Sequence, residues 1–583
     1  MSKQSNQQEK SLLSQAWRAL FPYIRRVLVF SIFTSLLVLT PSVYMLEVYG
    51  RVLASRNYST LLMLTVLVIG AYVMLEMLEW VRKQIMHQAG NDLDKTIRNP
   101  LIHAMFAAQL GNMKAGSNQA LQDLKTLRDF LSSQAFLSFI DVPLALFVLV
   151  LIFIINPVLG WFAVAGALVL SLIGLLNGRR VREPFEKAQN GSIAARVYAG
   201  GVIRNAQVIE SMGMLEHIYS RWQQRQQEFV KQQAVASEYA GANAALSKMV
   251  QTMLGSLILG MGAWFAIRGE LSASLMIVAS ILGGRLLAPL VLLIGSWKQV
   301  EDVRECIVRL DRLLTAFPEP EAKMPLPAPK GLLTVEGVVA KAPEGQTQIL
   351  KGVSFGVAPG GSLAIVGPSA SGKTTLARLL VGIWPAAIGA VRLDGSDIYG
   401  WDKEALGPYV GYLPQNVELF DGTFAENIAR FGDVDDEAVR KACRMVGLDA
   451  FIESLPASYN KQIGDDGAFL SGGQRQRVAL ARAVYGMPKF VVLDEPNSSL
   501  DEAGDAALVD TLRRLKENGT TVIVITHRKN ILTGIDYMLV LFDGRIQKIG
   551  KSKEVLAHMQ SEAMGRSPDG QSSKQPEEVQ HEA

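Results

Sequence analysis

Apolar residues are unevenly distributed along this chain. Before residue 297 they gather into six runs with few charges: 27–46, 61–80, 135–155, 158–176, 249–267 and 275–294. Each is about the 20 residues an α-helix needs to cross roughly 30 Å of hydrocarbon. Between the second and third runs, and between the fourth and fifth, lie long polar stretches in which apolar residues recur at helical spacing. That spacing predicts helices continuing out of the bilayer. Asn156 and Pro157 alone separate the third and fourth runs. After residue 330 the pattern changes to short apolar strand-like runs, punctuated by glycine and alternating with helical stretches. This predicts an α/β domain.

Lysine and arginine orient the spans. Twenty-two fall in the segments 1–26, 81–134 and 177–248, whereas Arg51, Arg56 and Arg268 fall on the other side. Positive loops stay in the cytosol, so both termini are expected there. Within 1–26, Leu12, Leu13, Ala16, Trp17 and Leu20 recur at helical spacing with Arg18 on another face, which predicts a helix lying on the inner leaflet. No short apolar stretch followed by a small-residue cleavage site precedes the first run, so it reads as a span rather than a leader. Pro318, Pro320, Pro325, Pro327 and Pro329 mark a semi-rigid connector over 317–331. It separates a transmembrane domain, 27–316, from a nucleotide-binding domain, 332–560. Residues 561–583, rich in Gln, Ser and Glu, are expected to be disordered.

Composition narrows the reading. The chain of 583 residues is 49% hydrophobic and 19% charged, against roughly 25% charged for average soluble proteins. A net charge of +4 over this length is too weak for a nucleic-acid binder. The two cysteines, Cys306 and Cys443, offer neither a disulfide framework nor zinc-site spacing.

Candidate chemistry lies in the second half. Leu363-Ala364-Ile365-Val366 reads as a buried strand running into Gly367-Pro368-Ser369-Ala370-Ser371-Gly372-Lys373-Thr374, with a helix from Thr375 onward. This is the P-loop pattern in its strand–loop–helix context. Gly367, Ser369, Ser371, Gly372, Lys373, Thr374 and Thr375 are therefore expected to cradle phosphates, with backbone amides and a helix N-terminus facing the anion. Lys373 can reach the β- and γ-phosphates, and the Thr374 hydroxyl can ligate Mg²⁺. Phe490-Val491-Val492-Leu493-Asp494-Glu495 is a second strand, ending in two acids. An acid at that end suits Mg²⁺ binding, assigned to Asp494, and leaves Glu495 to orient the attacking water. In Leu470-Ser471-Gly472-Gly473-Gln474, Ser471 is positioned as a helix N-cap and two glycines bare their amides. One domain needs one P-loop per triphosphate, so this second anion site is expected to complete the site of a neighbouring domain.

With these motifs in place, residues 332–555 resemble the ATPase domain of ABC transporters. The resemblance identifies 367–374 as Walker A, 470–474 as the signature and 490–494 as Walker B. It implies ATP and Mg²⁺ as ligands. It further implies that Gln415 in Tyr412-Leu413-Pro414-Gln415 is the Q-loop glutamine sensing Mg²⁺, that Asp501 in Ser499-Leu500-Asp501 belongs to the D-loop, and that His527 is the switch histidine contacting the γ-phosphate. Ala342 stands where the family commonly has an adenine-stacking aromatic. Six spans and one ATPase domain supply half of a sandwich that needs two P-loops and two signatures, so a homodimer is the simplest assembly.

The membrane half resembles the type I ABC exporter fold. More narrowly it is similar to the permease/ATPase of bacterial type I secretion, the branch exporting proteases, lipases and haemophores. The matching stretches are Tyr44-Met45-Leu46-Glu47-Val48-Tyr49-Gly50-Arg51, Leu127-Arg128-Asp129-Phe130-Leu131, Asp141-Val142-Pro143 and Gly284-Arg285-Leu286-Leu287-Ala288-Pro289. That resemblance implies an inner-membrane exporter of an unfolded polypeptide with a C-terminal signal, often an RTX-type repeat protein, working with a periplasmic adaptor and an outer-membrane channel. Export of lipids or small amphiphiles would use the same engine. A non-pumping ATP-gated regulator is disfavoured by intact Glu495 and His527. A charge at Arg285, in the middle of the sixth run, costs from about 3 kcal/mol upward unless paired or facing water. Arg285 is therefore expected to line the substrate path or to pair with Asp141. Glu76 and Glu79, near a span end, are expected at the interface.

Overall fold

Continuous apolar stretches and few helix breakers give the first half long helices: α1 (Leu12–Leu37), α2 (Thr40–Glu47), α3 (Leu53–Ser55), α4 (Tyr58–Leu110), α5 (Gln119–Leu131), α6 (Gln134–Ile155), α7 (Pro157–Arg204), α8 (Ala206–Ser211), α9 (Leu215–Ile267), α10 (Ala273–Gly295) and α11 (Trp297–Ala316). A single π-helical turn, Val48–Val52, joins α2 to α3. This computed structural model describes residues 12–111, 119–319, 326–342, 345 and 347–564. It divides into two compact units, the first ending at Glu319 and the second in the main beginning at Pro320.

Among the described residues, six helical stretches are long and apolar enough to cross a membrane: Leu12–Ser55, Tyr58–Leu110, Gln119–Ile155, Pro157–Arg204, Leu215–Ile267 and Ala273–Gly295. Each contains one expected run, and several extend well beyond it. The turn between the third and fourth is set by Asn156, whose side chain caps α7 by accepting from Val158 N and Leu159 N, with Pro157 at the first helical position.

The start of the chain departs from expectation. The Leu13–Leu20 stripe is not a separate surface helix but the first turns of α1, which runs through Pro22 to Leu37. Leu13, Ala16 and Leu20 are at most 3% exposed, in a core that includes Met86, Leu124 and Leu310. An apolar stripe states only that one face leaves water; here α4, α5 and α11 cover it, rather than lipid. Residues 1–11, the connector's 320–325 and the tail 565–583 lie outside the described residues, whereas 561–564 are the end of a helix rather than disordered tail.

Two charge pairs tie the helices of this unit. Arg309 on α11 grips Asp123 on α5 through Nε (2.7 Å) and Nη2 (2.9 Å), and Asp123 is 2% exposed. Cys306 Sγ faces the same carboxylate at 3.4 Å, and burial beside that anion pushes its thiol up to about 12. Cys443 is also buried, and burial pushes its thiol up to about 12. The second pair joins Arg82 on α4 to Asp141 on α6.

The second unit has two sheets. An antiparallel sheet of β1 (Leu333–Lys341), β2 (Gln348–Val357), β4 (Ile388–Leu393) and β5 (Ser396–Asp397) runs in the order β2-β1-β4-β5. The other has the order β10-β9-β3-β8-β7-β6, from β3 (Ser362–Val366), β6 (Val410–Leu413), β7 (Phe490–Asp494), β8 (Thr521–Ile525), β9 (Tyr537–Phe542) and β10 (Arg545–Lys551). Pairing is parallel throughout except β9 with β10. β3, β7 and β8 are buried along their whole length, as a parallel sheet covered on both faces requires. Helices α12 (Lys373–Leu380), α13 (Lys403–Leu406), α14 (Phe424–Ile428), α15 (Asp436–Met445), α16 (Asp449–Glu453), α17 (Gly472–Val484), α18 (Glu502–Glu517), α19 (Lys529–Leu532) and α20 (Ser552–Met564) complete the unit.

Candidate functional site

Strand β3 lies between β8 and β9. The loop leaving its C-terminal end therefore opens at the edge where ligands bind in such sheets. Gly367 follows the strand, Ser369 is exposed, and Gly372 leads into α12, which carries Lys373, Thr374 and Thr375 in its first turn. Lys373 is 7% exposed as a residue, and its ammonium donates to the carbonyls of Gly367 and Pro368, both at 2.8 Å. Burial lowers its pKa from the ordinary lysine value, while Glu495 and Asp494 oppose that shift. The Ser371 hydroxyl is buried with no hydrogen-bond partner among the described residues.

Asp494 closes β7 and is 1% exposed. Both its carboxylate oxygens are buried without a hydrogen-bond partner among the described residues. Burial raises its pKa above the ordinary aspartate value. Glu495 leaves the strand with φ +51, a left-handed conformation uncommon outside glycine. It is held there by its N–H on Ile525 O (2.9 Å) and by its own carbonyl, which accepts from Gln476 Nε2 at 3.1 Å. The turn swings its carboxylate off the strand line toward Gln415, two residues past β6, whose Nε2 donates to Glu495 Oε2 at 3.0 Å. His527, just past β8, is exposed. The Thr526 hydroxyl fixes its backbone, donating to Asn497 Oδ1 (2.8 Å) and accepting from Arg528 N (3.2 Å).

The signature stretch forms the expected N-cap. Ser471 Oγ accepts from Gln474 N (3.2 Å) while Gln474 Oε1 accepts from Ser471 N (3.0 Å), a reciprocal capping box. Ser471 and Gly472 are exposed. A methyl group built on Gly473 would lie 2.9 Å from Ser499 O, so the close approach of the following loop restricts that position to glycine. Asp501 caps α18, accepting from Gly504 N at 2.9 Å, and pairs with Arg477 at 3.4 Å. Among the described residues no hydrogen bond joins Ser471, Gly472, Gly473 or His527 to the loop 367–374.

Gln476, which sequence reasoning passed over, is central to this arrangement. It is 3% exposed. Its Nε2 donates to Glu495 O, and its Oε1 accepts from Ser499 N (2.9 Å) and Ser498 Oγ (3.3 Å). One side chain thus ties the signature helix to the acid end of β7 and to the loop beyond it. A glutamine among the buried positions of α17 was the only available signal.

In the membrane unit, the expected Asp141–Arg285 pair is replaced by another. Arg82 on α4 is 4% exposed and donates from Nη2 to Asp141 Oδ1 (2.6 Å) and from Nη1 to Thr34 Oγ1 (3.2 Å). This polar knot links α1, α4 and α6. Arg285 on α10 is exposed, and no ion pair engages it among the described residues. The backbone beside it is fixed by Gln251 Nε2 donating to Gly284 O at 2.9 Å.

A family model described as "ABC transporter" matches residues 350–498, and another described as "ABC transporter transmembrane region" matches 24–289. The chain is 40% identical over 531 residues to the type I secretion system ATP-binding protein PrsD of Rhizobium meliloti, spanning 91% of each chain. It is 27% identical to the toxin RTX-I translocation ATP-binding protein of Actinobacillus pleuropneumoniae, over 91% of this chain and 76% of that one. The leukotoxin translocation ATP-binding protein LktB of Mannheimia haemolytica is 26% identical, over 91% and 75%. A solved bacterial Atm1-family ABC exporter with ATP bound shares the fold with a TM-score of 0.80 at 20% identity, over 95% of this chain and 99% of that one. The motif geometry, the six membrane-length helices and this similarity along almost the whole chain mean that it belongs to the ABC transporters and, among them, to the ATP-binding proteins of type I secretion.

Proposed function

We propose that the chain hydrolyses ATP to export an unfolded polypeptide, carrying a C-terminal signal, across the bacterial inner membrane. The observation that carries this reading is 40% identity along 91% of a type I secretion ATP-binding protein, joined to an intact set of P-loop, Walker B acid, signature and switch histidine. The working assembly is a homodimer with both termini in the cytosol, served by a periplasmic adaptor and an outer-membrane channel. The positive cytosolic segments support the orientation. Among the described residues the signature residues make no hydrogen bond to their own P-loop, which fits Ser471, Gly472 and Gly473 serving the nucleotide of a second copy.

Mg²⁺ fits the site. Asp494 offers two buried, unpartnered carboxylate oxygens, the hard donor type this ion takes. Among the described residues no group of three or more His, Cys, Asp and Glu could hold a metal by itself. Asp494, the Thr374 hydroxyl and the Gln415 amide would therefore hold the ion together with phosphate oxygens. When bound, it supplies charge neutralisation at the β- and γ-phosphates. The chain's own groups do the rest. Lys373 leaves the Gly367 and Pro368 carbonyls for phosphate oxygens. Glu495, aimed by Gln415, orients and polarises water, and His527 completes the constellation at the γ-phosphate. Phosphoryl transfer depends chiefly on such positioning and electrostatics.

Arg285 is read as lining the polypeptide path, since its own chain leaves it exposed. The test is ATPase activity of the purified chain in nanodiscs with a C-terminal secretion-signal peptide from a polypeptide encoded beside its gene. Saturable modulation by that peptide, absent with a scrambled sequence and with lipids or small amphiphiles, is expected. Stimulation by amphiphiles and indifference to the peptide would overturn the polypeptide reading.

A further inference from the structure

Arg430 has no part in the chemistry above, yet its guanidinium bonds four backbone carbonyls, two at the end of α17, one at the start of β6 and one in the 3-10 turn (Gly407–Tyr409) leading into it. Nε donates to Arg482 O (3.1 Å) and Nη2 to Ala483 O (3.2 Å), both in the last turn of α17. Nη1 donates to Gly407 O (2.6 Å) and Val410 O (3.1 Å), at the root of β6. The last carbonyls of a helix have no partner inside it. A flat five-donor fork can satisfy them while reaching a strand on its other side, which the point charge of an ammonium cannot do. Arg430 adopts φ +59 and its neighbour Phe431 φ +57, a backbone state that persists only where surrounding contacts over-determine it.

Independent geometry marks the same junction. A methyl group built on Gly411 would lie 2.1 Å from Ala483 O, so β6 and the end of α17 are pressed together there with no room for a side chain. Each element bears a site group at its far end. β6 stops at Leu413, two residues before Gln415, and α17 begins directly after Ser471. The 13 residues of α17 span about 20 Å.

We propose that Arg430 is a positioning residue that makes one rigid lever of Gln415 and Ser471, so that a shift at the glutamine serving one nucleotide moves the signature serine offered to the other. This rests on the two-copy reading of the site given above. Beside Arg430 lies a cavity of about 310 Å³ that Tyr412 and Arg482 also line, so truncation to alanine leaves space that a guanidinium ion from solution can enter.

The test uses the full chain in nanodiscs as wild type, Arg430→Ala and Arg430→Lys, with Glu495→Gln as the inactive control. For Arg430→Ala the expected result is affinity for a fluorescent ATP analogue within about twofold of wild type, KM little changed and kcat down about tenfold. Millimolar guanidinium should restore much of that loss, whereas ammonium or sodium chloride at equal ionic strength should not. Arg430→Lys should keep the thermal midpoint but not the kcat, and it carries the test if the alanine variant fails to fold. Unchanged kcat in either variant would overturn the proposal, as would nucleotide affinity lost in step with thermal stability or a deficit indifferent to guanidinium. Wild-type hydrolysis at full rate in nanodiscs holding a single copy would overturn the two-copy reading itself, and the lever with it.

Discussion

Gln415 Nε2 donates to Glu495 Oε2 at 3.0 Å, joining the loop after β6 to the first residue past β7. A glutamine at 495 can still accept that bond through its amide oxygen while losing the carboxylate that polarises water. Glu495→Gln is therefore expected to bind an ATP analogue with wild-type affinity and to lose about 10²–10⁴-fold in kcat. Steady-state ATPase alongside equilibrium nucleotide binding checks both halves, and turnover near wild type would remove Glu495 from its assigned role.

Gln476 satisfies Glu495 O, Ser499 N and Ser498 Oγ from a buried position. Gln476→Leu strands the Ser499 N–H and removes one of the two hydrogen bonds to Glu495 O, which Ser498 N also serves, at a cost of about 1 kcal/mol or more. The expected phenotype is a lowered thermal midpoint and a larger loss in kcat than in nucleotide affinity, because the P-loop does not depend on this side chain. Thermal unfolding and ATPase assays on the same preparation decide it.

The Asp123–Arg309 pair predicts an asymmetric double-mutant cycle. The Asp123 side chain is 3% exposed and that of Arg309 26%. Removing one partner of a buried pair costs about 3–5 kcal/mol, whereas replacing both with apolar groups of similar volume is often near neutral. Arg309's partial exposure places Arg309→Met alone toward or below the lower bound. The double variant Asp123→Leu with Arg309→Met should be more stable than either single variant, as read from thermal midpoints.

Asp536 predicts a defined acid response. Burial alone would raise its carboxyl, but Lys516 Nζ at 2.5 Å, Ser362 Oγ at 2.9 Å and Ser362 N at 3.2 Å outweigh that and hold it below the ordinary aspartate value. A carboxyl depressed on folding adds stability above its unfolded pKa of about 3.9 and loses it as pH falls through the lower folded value. Asp536→Asn should be less stable than wild type near neutrality, with the deficit shrinking below about pH 4. Unfolding midpoints across that range test the sign.

The sequence made the P-loop and capping-box geometry legible because that geometry is local. Lys373 bonds the carbonyls of Gly367 and Pro368, and Ser471 the amide of Gln474, all within six residues along the chain, so their spacing alone implies their geometry. The six spans were legible for the same reason, since length and hydropathy belong to each segment separately. Choices among distant partners were not. Asp141 binds Arg82, 59 residues away in sequence, because α4 and α6 face each other there, and nothing in the charge pattern distinguished that from a pair with Arg285. The Leu13–Leu20 stripe announced a dry face but not what dries it. Arg430 and Gln476 act on backbone carbonyls and amides brought together only by folding, which no motif encodes.

The ammonium of Lys373 already rests on two carbonyl oxygens of its own loop. The loop's curvature is therefore braced from within, and on the proposed function a triphosphate entering it would exchange neutral acceptors for anionic ones around that cation. On the proposed function, recognition at this spot amounts to a swap of oxygens around one nitrogen.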